Sequence, residues 1–248
     1  MLTDELLTSL FDGQPHLLAA PMAGWLASSR RFSVFVTAYF TKIRKKLRTA
    51  QEPESLRDLQ LELETAYLLL RERSLSLIYE PPHPEQTRGP DFAVSYTTSL
   101  AFMVEVTRMQ AAPPITSLDA HPTESAPMSP VLGERFFDML CSKLGQLLPQ
   151  HSNILLVGLE APRLTQPEVR AEMLRIQQRS ERGDATLLQR QGFRDRADFF
   201  HYYQRLSALL VRGTPIQDGD PVAIWVNPQA KYPLPVKVLT ALSRSHTL

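Results

Sequence analysis

Apolar residues recur along this chain with two different periods. From Arg30 to Leu47 they fall at Phe32, Phe35, Val36, Tyr39, Phe40, Ile43 and Leu47, a stripe that predicts a helix. From Glu54 to Glu72 the positions Leu56, Leu59, Leu63, Ala66 and Leu70 predict a second amphipathic helix. The pattern then shortens. Leu75 to Glu80 reads as a strand, Asp91 to Tyr96 as another, and Leu100 to Met109 as a strongly apolar central strand after a tight turn at Thr97-Thr98-Ser99. Leu132 to Leu148 returns to the helical period. Asn153 to Leu159 is a continuous apolar run, the signature of a strand buried on both faces. Helices are predicted over Pro167–Gln178 and Asp195–Val211, with a break at Gly192-Phe193, and a last strand over Val222–Val226. Residues 1–29 are weakly patterned and read as peripheral.

The order is helix, three strands, helix, strand, helix, helix, strand. It predicts an α/β fold, a mixed central β-sheet flanked by helices, with the helix at 132–148 as a crossover. The expected parts are an N-terminal helical extension over 1–53, a core over 54–160 and a C-terminal elaboration over 161–248, all packed as one compact domain. The 20 prolines gather near 81–90, 113–130 and 213–235 and mark loops. Five of them fall in residues 110–130, which predicts a long mobile loop.

Composition narrows the classes. Apolar content of 43%, charged content of 21% and a formal charge of +1 suit an ordinary soluble domain and do not announce a nucleic-acid binder. One cysteine, Cys141, excludes an intrachain disulfide and a Cys-rich zinc site, and its apolar surroundings make it core filler. The longest apolar stretch near the start, Phe32 to Phe40, is shorter than the about 20 residues a span needs. A cytoplasmic setting with no membrane partner is expected. The 110–130 loop and the C-terminal helices are candidate contact regions for a homodimer. The cations Lys42, Arg44, Lys45, Lys46 and Arg48 close a helix, where they suit its dipole. They read either as a solvated helix end or as a contact to a phosphate backbone.

The chemistry concentrates in two strands. Side chains alternate, so Met103, Glu105 and Thr107 share one face. A carboxylate in so apolar a strand needs a pair, a hydrogen bond or a metal. Asp91 opens the preceding strand and can stand beside Glu105. Two carboxylates side by side repel unless a cation neutralises them, and Mg²⁺ suits oxygen ligands with a phosphate nearby. Lys143 falls within about 40° of the centre of its helix's apolar stripe, taking about 100° per residue. Such a lysine needs an acidic partner, which Asp91 and Glu105 would supply, or it snorkels to the edge. Gln146 borders the same stripe. Arg108 points to the opposite strand face and reads as structural. Glu80 caps the Pro81-Pro82 turn or serves as a ligand. His201-Tyr202-Tyr203 reads as core, and 227–235 as a rigid loop.

Gly89-Pro90-Asp91-Phe92 followed by Glu105-Val106-Thr107 resembles the signature of the PD-(D/E)XK, or restriction-endonuclease-like, nuclease superfamily. The resemblance covers about residues 54–160 and implies an αβββαβ core. It implies a Mg²⁺- or Mn²⁺-dependent endonuclease acting on DNA, with Asp91 and Glu105 as metal ligands. It also implies a third metal-binding carboxylate, a helix glutamate, carried here to Glu62, which lies roughly 80° from its helix's apolar centre. The motif's usual lysine is Thr107 here. Some members place that lysine on the next helix, which implies the role for Lys143, with Gln146 in support. The competing reading is an inactive nuclease-like module that binds nucleic acid or a protein partner.

Overall fold

A computed structural model describes residues 3–82, 89–97, 100–110, 128–160, 163–183, 185–215 and 221–246. Four helices come first: α1 (Thr3–Leu10), α2 (Ala19–Ser28), α3 (Arg30–Ala38) and α4 (Phe40–Thr49). The long helix α5 (Pro53–Arg71) leads into β1 (Leu75–Tyr79), β2 (Phe92–Tyr96) and β3 (Leu100–Met109). Helix α6 (Pro130–Leu144) and β4 (Asn153–Leu159) follow, then α7 (Gln166–Glu181), α8 (Ala185–Arg190) and α9 (Arg196–Tyr203). Strands β5 (Leu206–Gly213) and β6 (Ala223–Val226) and helix α10 (Val236–His246) complete the order. Among the described residues that makes ten helices and six strands. None of the helices is long and apolar enough to cross a membrane.

Local chemistry sets many of these ends. Ser29 caps α3 by accepting from Phe32 N at 3.2 Å, and Ser129 caps α6 by accepting from Leu132 N at 3.3 Å. Thr165 and Glu168 form a capping box at the start of α7. Asp195 accepts from Asp198 N at 2.9 Å and starts α9.

The sheet is mixed, in the order β1-β2-β3-β4-β5-β6. β1, β2 and β3 run antiparallel to one another, β3, β4 and β5 are parallel, and β6 returns antiparallel. Helices cover both faces. On one face Ile154 and Leu156 of β4 meet residues of α1–α5 and α10. On the other, Leu155, Val157 and Leu159 meet α6, α7 and α9. Burial on both sides is why β4 carries no polar alternation. Gly158 lets α5 come close: a Cβ there would lie 2.5 Å from Leu61 Cδ2.

Several boundaries differ from the sequence expectation. The helix expected over Asp195–Val211 ends at Tyr203, and Leu206–Gly213 is a strand buried at every position. Short apolar runs fit a buried strand and a buried helix alike, and the periodicity of 199–203 carried the helix too far. The single helix expected over Arg30–Leu47 breaks at Tyr39 (φ −106°, ψ 19°) into α3 and α4. Helix α6 stops at Leu144 instead of Leu148, because Asn153 Oδ1 takes the Leu148 N–H at 3.1 Å and pulls that segment toward β4. The N-terminal 29 residues supply α1 and α2, and Leu6, Leu10, Leu18, Met22 and Leu26 join the core. Most of the expected 110–130 loop, and part of the 97–99 turn, lie outside the described residues.

Candidate active site

β2 stops where β3 continues. The last regular pair is Phe92 opposite Val104, so Asp91 stands level with Glu105 one step on. Its position is locked: Asp91 Oδ2 accepts from Val106 N at 2.7 Å, and its carbonyl accepts from Glu80 N at 2.7 Å. Glu105 lies on the strand face toward α6. There Lys143, near the end of α6, donates to Glu105 Oε1 at 2.9 Å and to Gln146 Oε1 at 3.3 Å. Glu62 of α5 approaches from the opposite side. Asp58, Leu61, Glu62, Asp91, Val106, Thr107, Arg108 and Lys143 line one cleft of about 230 Å³.

Charge in this cleft is uneven. Asp91 and Glu105 are 8% and 4% exposed, so water screens them little. Burial, followed by the charges of Glu105 and Glu62, pushes the Asp91 carboxyl up to about 7. Burial also raises Glu62, an effect its Lys46 partner offsets only in part. Among the described residues Asp91 forms no ion pair, whereas Glu62 and Glu105 each hold a lysine. No three His, Cys, Asp or Glu side chains among the described residues form a ready-made metal cage. The donor set is nevertheless all oxygen, partly dry and short of positive charge at Asp91, which fits a hard divalent cation.

No family model, curated protein or solved structure matches the chain. The site's meaning therefore rests on its own geometry.

Most of the basic run of α4 is taken up by nearby carboxylates. Arg44 and Arg48 both engage Asp12. Lys42 pairs with Glu80 at 3.3 Å, and Lys46 with Glu62 at 2.7 Å and Glu80 at 2.6 Å. Lys45 is exposed. Glu80 accordingly binds lysines of α4 at the end of β1. Arg108, 3% exposed at its side chain, pairs with Asp58 at 2.8 Å, Glu160 at 2.6 Å and Glu54, and forms a fixed wall of the cleft. Lys46 is the residue that the sequence placed elsewhere. It read as one of five surface cations, and only the break at Tyr39 and the return of α4 across α5 bring it to Glu62. Asp58 was also passed over. Its spacing of four from Glu62 on one helix is the signal that could have found it.

Proposed function

We propose that this chain is a divalent-metal-dependent phosphodiesterase acting on DNA, of the restriction-endonuclease-like type. One observation carries the reading: Lys143, on α6, meets Glu105 at 2.9 Å beside Asp91 in a shared cleft. That lysine comes from another element, while the motif position on β3 is Thr107.

Asp91 and Glu105 would hold Mg²⁺ or Mn²⁺, while Glu62, taken up by Lys46, would stand beside the ion and outside its ligand set. Such an ion supplies a water of lowered pKa and polarises the phosphate. The Val106 N–H fixes one oxygen of Asp91, so the other is the one available to a ligand. Lys143 holds one oxygen of Glu105 and is 15% exposed at its side chain, so its ammonium also reaches the cleft. There it orients the attacking water and offsets charge growing on the phosphate. Gln146 accepts from the same ammonium and fixes its direction. Thr107 lines the same cleft.

A second reading, an inactive module that binds nucleic acid or protein, is favoured by the lysine already seated on Glu62. Nicking of supercoiled plasmid separates the two. Wild type should nick with Mg²⁺ or Mn²⁺ and stop with chelator, and Asp91→Ala and Lys143→Ala should each lose about 10²-fold or more, the scale of one electrostatic or acid–base group. Equal nicking by all three proteins would remove the assigned site.

A further inference from the structure

Lys143 lines the cleft and Lys46 stands behind its Glu62 wall, and the two treat their carboxylates differently. Lys143 contacts only Oε1 of Glu105, which leaves the second oxygen for a ligand. Lys46 spans both oxygens of Glu62, at 2.7 and 2.9 Å, and reaches Glu80 Oε1 at 2.6 Å. It is also seated over the ring of Tyr79, 4.9 Å from the centroid, so it is held from three sides. Tyr79 itself is 1% exposed, and its hydroxyl lies against Glu62. Burial, together with Glu62, Glu80 and Asp91, keeps that hydroxyl protonated. Behind the Glu62 wall of the cleft there are thus two carboxylates, a buried hydroxyl and an ammonium in the middle.

We propose that Lys46 sets the number of divalent cations the cleft accepts. It is a resident cation on Glu62 and Glu80. One ion then binds at Asp91 and Glu105, and no second ion can enter the corner beside Tyr79. The inference rests on the metal-dependent reading above. An ammonium and a divalent ion compete for the same carboxylate lone pairs and repel at short range, so occupancy by one excludes the other. Two-metal phosphodiesterases need carboxylates that serve both ions at about 3.5–4 Å separation. Here Lys46 takes the carboxylate best placed to hold the second. The site would work with one ion and two fixed ammoniums.

Mn²⁺ titration of the full chain, with free Mn²⁺ read by electron paramagnetic resonance, tests this. Wild type should bind one ion, Lys46→Arg one, and Lys46→Gln two. In Glu62→Gln, which keeps the Lys46–Glu80 pair, the Kd of the first ion should stay within about threefold of wild type. Two ions in wild type, one ion in a folded Lys46→Gln variant, or a loss of about tenfold or more in Glu62→Gln would overturn the role of Lys46 while leaving the metal site standing. No Mn²⁺ bound by wild type would remove the metal-dependent reading, and this inference with it.

Discussion

Asp91 and Glu105 are neighbours with opposite electrostatic histories. Glu105 is paired with Lys143, while Asp91 accepts a backbone N–H, forms no ion pair among the described residues and carries the repulsion of Glu105 and Glu62. The Asp91 carboxyl is raised from an ordinary 3.8 to about 7, so the folded state holds its proton more tightly than the unfolded chain. The stability this gives is full below about 3.8 and is lost as pH rises through about 7. Without metal, Asp91→Asn should therefore melt above wild type at pH 8 and draw level near pH 4. Divalent cation should stabilise wild type at pH 8 and leave the variant unmoved. A constant melting difference across that range would contradict the assignment. Glu105→Gln should do the reverse and lower the melting temperature, because it leaves the ammonium of Lys143 buried without its partner. Much at this scale was legible. Alternation placed Glu105 on the face toward α6, and the helical wheel set Lys143 in the apolar stripe that faces it. Lys46 was not legible, because nothing in a run of five cations marks the one that turns inward.

Elements deliver those residues, and their packing fixes the distances. α5 presents Glu62 to the cleft, while Glu64, two residues on, is turned to Arg212 of β5 at 3.6 Å, with both side chains nearly inaccessible. Sequence periodicity separates the two glutamates by angle. It could not show the partner of Glu64, because β5 itself was read as the end of a helix. Glu64→Gln should destabilise the fold by about 3 kcal/mol, the cost of stranding one charge of a buried pair. Urea unfolding measures it, and a change below about 0.5 kcal/mol would mean that the pair is dispensable. Gly158 fixes the depth of α5. In Gly158→Ala the new methyl meets Leu61, the neighbour of Glu62, and overpacking of this kind costs about 1–3 kcal/mol. Chemical denaturation should show that loss.

At the scale of the whole molecule, one sheet separates two cores, and the cleft lies where both reach the end of β2. α5 closes it from one face and α6 from the other. A mixed sheet with helices on both faces was legible from the order of apolar runs. The return of α4 over α5 was not, because it depends on long-range packing and not on local period. Cations that would otherwise form an external basic patch are consumed by Asp12, Glu62 and Glu80. Net charge near zero and this pairing predict weak binding to DNA without metal, with a shallow salt dependence because few cations are left to neutralise phosphates. In the proposed phosphodiesterase a lysine on α6 would do the work of the one missing from β3. The metal-dependent rate of plasmid cleavage in wild type, Lys143→Ala and the double variant Lys143→Ala/Thr107→Lys tests this most directly. The single variant should lose about 10²-fold or more, with partial recovery when lysine is placed on β3. Cleavage by Lys143→Ala at the wild-type rate would contradict it.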